Sequence, residues 1–161
     1  MNNSVRLPQW LDNLIFEQLG AKYCRSNADM TVIDWDKNDV LNYLGTYFPR
    51  SYVESYCIFS DFFKKHPEQF ANKAELSIFD FGCGTGGDLM GLIEAIADNL
   101  PWIKNLTIVA YDGNFIAVDI LRQIVTRPEI ENRFNLKVDY APVPMRDPQD
   151  FALFCTCIKQ V

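Results

Sequence analysis

Residues 76–88, Leu-Ser-Ile-Phe-Asp-Phe-Gly-Cys-Gly-Thr-Gly-Gly-Asp, restrict the fold more than any other part of the chain. A short apolar run reaches an acid, Asp80, and glycines follow at positions 82, 84, 86 and 87. Directly afterwards Leu89, Leu92, Ile93, Ile96, Ala97 and Leu100 recur at the spacing of a helix with one buried face. The segment predicts a strand, a tight turn and a helix. Glycine suits a turn that needs positive φ, or one that a ligand must approach without meeting a Cβ. The helix aims its unpaired N-terminal N–H groups at the same place.

The same alternation continues downstream. Leu76–Phe81 is apolar apart from Ser77 and Asp80, as in a strand covered on both faces. Further strands are predicted over 106–111 and 134–140. Between them lies a helix that Asn114 would cap and whose apolar face is Ala117, Val118, Leu121, Ile124 and Val125. Phe151–Ile158 reads as a fourth apolar strand after a loop marked by Pro142, Pro144 and Pro148. Upstream, helices are predicted over 8–19, over 38–47, and from the capping-box pattern Ser51-x-x-Glu54 onward, with Pro49 breaking the last two apart. Tyr52, Tyr56, Phe59 and Phe63 form a stripe of core type on the third. The expected organisation is an N-terminal helical cap, residues 1–70, on an α/β domain, residues 71–161. The fold class is a Rossmann-like, doubly wound parallel sheet of about four strands. Right-handed crossovers would make the first strand central and its tip the ligand site.

Composition narrows the function. With 161 residues, 48% hydrophobic and 22% charged, the chain can bury one globular core. A net charge of −6 argues against a surface devoted to nucleic-acid phosphates. The five cysteines make no C-x-x-C pair and the single histidine has no ligand neighbour, so neither a disulfide framework nor a metal site is expected. No signal peptide or bilayer-length apolar run is visible, which predicts a cytoplasmic protein.

Gly82-x-Gly84-x-x-Gly87, with Asp112 at the next strand tip, fits the dinucleotide fingerprint by letter. Asp80 argues otherwise: a carboxylate beside the turn repels a pyrophosphate and attracts a cation. The alternative pattern is Asp80-x-Gly82-x-Gly84-x-Gly86, with Tyr111-Asp112-Gly113 at the second tip. On these residues the stretch from about 74 to 158 resembles the class I S-adenosylmethionine-dependent methyltransferases.

That resemblance implies S-adenosyl-L-methionine as cofactor and methyl transfer by in-line attack of an acceptor. It places Asp80, Gly82, Cys83, Gly84 and Gly86 under the methionine part. It puts Asp112 and Gly113 at the ribose and Asp139 and Tyr140 beside the adenine. Each residue also has a plainer reading. Asp80 would accept turn N–H groups, Asp112 would cap the next helix, Gly86 would serve packing and Cys83 would fill space. No general base stands out, so catalytic residues are unassigned. The acceptor is a small molecule or a protein, with RNA still open. A family sheet has seven strands, so the sequence reads either as part of a longer enzyme or as a chain completed by another. An exposed edge strand over 151–161 would then support a homodimer or hetero-complex. The competing functions are a non-catalytic assembly module of the same fold and an NAD-dependent oxidoreductase.

Overall fold

The computed structural model describes residues 4–24 and 34–158. Helix α1 (Gln9–Asn13) widens into a π-helical turn (Leu14–Gln18), and Gly20 at φ +76° follows it. Leu11, Leu14 and Ile15 face the core. Helix α2 (Lys37–Lys65) is continuous, with Pro49 inside it. The expected break does not occur. Proline removes one bond to the carbonyl four residues back, but Leu44, Phe48, Tyr52 and Phe63 are buried along one stripe across it. The capping box is also elsewhere. Asp36 Oδ1 accepts from the Asn38 and Asp39 N–H groups at 2.7 and 3.0 Å, and the Asp36 N–H donates to Asp39 at 3.3 Å. Ser51 and Glu54 lie mid-helix.

A 3-10 turn (Pro67–Gln69) leads to β1 (Glu75–Phe81), which runs through the glycine loop into α3 (Gly87–Asn99). Helices α2 and α3 are in close contact because Gly87 and Gly91 carry no side chain. A Cβ at Gly87 would stand 2.8 Å from the Phe48 carbonyl oxygen, and one at Gly91 would stand 2.3 Å from that of Tyr52. The Ser55 hydroxyl donates to the Asp88 carbonyl at 2.7 Å in the same seam.

The chain continues through β2 (Asn105–Asp112), α4 (Phe115–Val125), a single turn α5 (Pro128–Glu131) and β3 (Asn135–Pro142). Asn114 caps α4 as expected, accepting from the Ile116 and Ala117 N–H groups at 3.0 and 3.1 Å. The three strands are parallel in the order β1-β2-β3, with Asp80 level with Ala110 and Asp112 level with Pro142. Strand alternation gives one face Leu76, Ile78, Leu106, Ile108, Ala110, Leu136 and Val138. These join the α3 and α4 side chains in a core that also takes in Leu11, Leu44 and Phe48.

The opposite face is partly covered by α6 (Pro148–Ile158), a helix where a fourth strand was expected. The Phe154 ring lies 5.7, 4.9 and 5.2 Å from those of Phe79, Phe81 and Tyr111. This corrects the strand expected over 151–158. Asp147 accepts from the Gln149 and Asp150 N–H groups, Asp150 accepts from those of Arg146 and Asp147, and Pro148 takes the first helical position. Those are helix-start features, and the spacing of Phe151 and Phe154 puts both on one helical face. Among the described residues the sheet therefore has three strands, with β2 in the middle and β1 at an edge. The edge strand expected over 151–161 is helical as far as 158, and 159–161 lie outside the described residues. No described helix is long and apolar enough to cross a membrane.

Candidate functional site

Gly82, Gly84 and Gly86 have φ of +74°, +50° and +86°, so the loop needs glycine at these positions. It is tied to the tip of β2. The Gly82 and Cys83 N–H groups donate to the Tyr111 carbonyl at 2.8 and 3.0 Å, and the Gly84 N–H donates to Asp112 Oδ2 at 2.8 Å. The Asn114 N–H donates to Asp112 Oδ1 at 2.7 Å. Both oxygens of Asp112 thus hold main chain, one on each side of it. Gly86 has a second reason to lack a side chain, since a Cβ there would lie 2.2 Å from Leu121 Cδ1. The third glycine of the dinucleotide pattern, Gly87, packs on α2.

Three carboxyl groups meet at this loop. Asp80 is 9% exposed, and its Oδ2 is buried with no hydrogen-bond partner. Burial raises its pKa to about 8, helped by the charge of Asp88, a hydrogen bond shared with Asp88, and the charge of Asp112. Asp88 stands in the first turn of α3, and its pKa is raised, chiefly by desolvation. The chain's own acid therefore occupies the helix terminus that would otherwise attract a phosphate. Nearby, Thr85 Oγ1 is also buried without a partner.

Two cavities open beside the glycine loop and the segment after the β2 tip. One, of about 110 Å³, lies between α2 and the loop, bounded by Tyr43, Ser51, Gly82, Thr85, Gly87 and Asp88. At ~30 Å³ per water it has room for three or four groups of that size. The other, of about 290 Å³, is bounded by Trp35, Gly113, Asn114, Phe115, Pro142 and Arg146. Tyr43 roofs the loop, its ring carbon 3.5 Å from where a Cβ on Gly84 would be. Burial and the charges of Asp88 and Asp112 raise its phenol pKa. Trp35 meets Tyr43 edge-on at 5.6 Å, and its carbonyl accepts from Asn114 Nδ2 at 3.1 Å. Arg146 pairs with Asp34 over the larger cavity.

The structure brings Asp80, Gly82, Cys83, Gly84, Gly86, Asp112 and Gly113 together. Cys83 is 2% exposed and its thiol pKa is pushed up by burial, then by Asp80, Asp112 and Asp88, so it stays protonated. Asp139 alternates onto the α6 face and lies 3.7 Å from Lys137 Nζ. Tyr140 has the Arg122 guanidinium 4.7 Å above its ring and lines a different groove with Leu136, Val138 and Phe134. The β3 residues beside the larger cavity are Pro142 and Pro144, because the strand runs past Tyr140. That groove has a volume of about 640 Å³. The candidate site is nevertheless the loop, where one oxygen of a buried acid and a buried hydroxyl lack partners.

Reading the sequence did not single out Tyr43, Ser51, Trp35 or Thr85 for the site. Thr85 carries a signal by standing inside the loop. Tyr43 and Ser51 reach it because α2 lies across α3, and Trp35 because it leads into α2 and its carbonyl is held by Asn114. Among the described residues no group of three or more His, Cys, Asp or Glu side chains is arranged to hold a metal. No protein-family model, no curated protein and no solved structure matches this chain.

Proposed function

We propose that the chain is a class I S-adenosylmethionine-dependent methyltransferase, or the cofactor-binding portion of one, on a Rossmann-like sheet. The observation that carries this reading is the sign of the charge at the glycine loop. Asp80, Asp88 and Asp112 converge there, one of them buried with an unpartnered oxygen, and none of the groups acting on Asp80 is a cation. A ligand that is positive at this point completes the site electrostatically, whereas a pyrophosphate adds repulsion.

The two cavities, one at the glycine loop and one at Gly113–Phe115, suit a ligand with two ends. Asp80, Asp88 and Thr85 would hold the ammonium end, Asp112 the ribose hydroxyls, and Gly113–Phe115 with Pro142 the base. When bound, the cofactor supplies an electrophilic methyl group. The chain's part is to hold and orient it and keep water from it, which is where positioning gains its effect. A non-catalytic module is the second reading. It is favoured by the Tyr43 ring resting on Gly84 and by Asp112 having both oxygens engaged with main chain.

Calorimetric titration with S-adenosylhomocysteine tests the proposal, and saturable one-site binding is expected. No heat at millimolar ligand, or preferential binding of NADH by fluorescence, overturns it. Binding without methyl transfer to any small-molecule, protein or RNA acceptor selects the second reading.

A further inference from the structure

We propose that ligand uptake at the glycine loop exchanges one proton for one ammonium group at Asp80, which makes the site's affinity pH-dependent. The inference rests on the cofactor reading above and specifies how that site is regulated.

Asp80 sits at the tip of β1 and is faced from every packed element by groups that are acidic or neutral. Asp88 faces it from α3, Asp112 from β2 and the Cys83 thiol from the loop, with the Tyr43 phenol of α2 beyond Asp88 and Asp112. No lysine, arginine or histidine is among the groups acting on it. The other two acids are better placed to stay ionised: Asp112 holds the Gly84 and Asn114 N–H groups, and Asp88 is exposed to solvent in the first turn of α3. Asp80 Oδ2 has no donor at all. Adjacent carboxylates do not all ionise; one keeps a proton, and here it is Asp80, the buried one, with an oxygen that has no partner. Its raised pKa agrees with that assignment.

An incoming ammonium supplies the missing counter-charge. Asp80 then ionises, its proton leaves to solvent, and the carboxylate pairs with the ligand's N–H donors. Charge and protons balance: a neutral acid and a cation become an ion pair and one released proton. Affinity should rise about tenfold per pH unit while Asp80 is protonated in the free protein, and level off once it is ionised.

The test is titration of the full chain with S-adenosylhomocysteine at pH 7 in phosphate and in Tris, whose ionisation heats differ. It is paired with carboxyl ¹³C NMR of the aspartate-labelled free protein. The expected results are release of close to one proton per ligand and one aspartate carboxyl still protonated at pH 7. Affinity should also be about tenfold higher at pH 7 than at pH 6. Asp80→Asn should abolish the release, and Asp88→Asn should reduce it by lowering the Asp80 pKa. Should Asp80→Asn not fold, Asp88→Asn and the wild-type spectrum carry the test. Binding with equal heat in both buffers overturns this inference and leaves the cofactor reading intact. A free protein with every aspartate ionised at pH 7 overturns it as well. Absence of binding overturns the cofactor reading itself, and the inference with it.

Discussion

Replacing Asp80 by asparagine should make the ligand-free protein more stable near pH 8 while destroying its cation site. An unfolded aspartate titrates near 3.8, and in the folded chain Asp80 titrates near 8 because it is buried beside Asp88 and Asp112. The native state thus holds this proton more tightly than the unfolded state. Its contribution is fully present below about pH 4, falls as pH rises, and levels off above about pH 8. Four pKa units at ~1.4 kcal/mol each amount to roughly 6 kcal/mol. Because Asp88 shares the proton, a loss of a few kcal/mol is the expected scale. Asparagine cannot ionise, so the variant lacks this slope. At ~2–4 °C per kcal/mol for a chain of this size, its melting temperature should exceed wild type by about 10 °C at pH 8 and by little at pH 4.5. Thermal unfolding followed by circular dichroism from pH 4.5 to 8.5 measures the difference, with groups common to both proteins cancelling. A constant gap between the two curves, or a variant less stable than wild type at pH 8, would refute the reasoning.

Two further outcomes are expected. Gly91→Ala puts a Cβ 2.3 Å from the Tyr52 carbonyl oxygen, main chain on both sides. Separating α2 from α3 should cost about 2–3 kcal/mol, read as a lower urea midpoint with an unchanged slope. In the native protein at pH 7.5, Cys24 and Cys57 are exposed and should react readily with Ellman's reagent. Cys83, buried and with its thiol pKa raised, should react only on unfolding. Peptide mapping of an early-labelled Cys83 would contradict the packing described.

How much of this was legible depended on whether the deciding contact was local. The strand–loop–helix over 75–99 could be read because glycine spacing and helical periodicity are properties of neighbouring residues. The same holds for Asn114 as cap of α4. Pro49 misled because its local penalty competes with burial of Phe48 and Tyr52 against α3, which no local pattern reveals. Phe151–Ile158 looked like a strand because β-branched and aromatic residues are ambiguous in a short apolar run. The Asp147-Pro148-x-Asp150 helix-start signal stands directly before this run. At the site, the acids at the strand tips were readable. The roof over them was not, because Tyr43 and Trp35 arrive from another part of the chain. Tyr140 was displaced by one strand period, as β3 runs to Pro142 rather than stopping at the predicted end.

The aromatic seam between α6 and the underside of the sheet gives the architecture a direction of growth. Helices α3 and α4 carry the chain outward, from β1 to β3. Helix α6 leaves β3 on the other side and lies back across Tyr111, Phe79 and Phe81. A right-handed return path of this kind would set any strand that followed it beside β1, running parallel to it. Such a strand would turn β1 from border into midline. The glycine loop would then lie where neighbouring connections depart in opposite directions, the crevice such sheets leave open for a ligand.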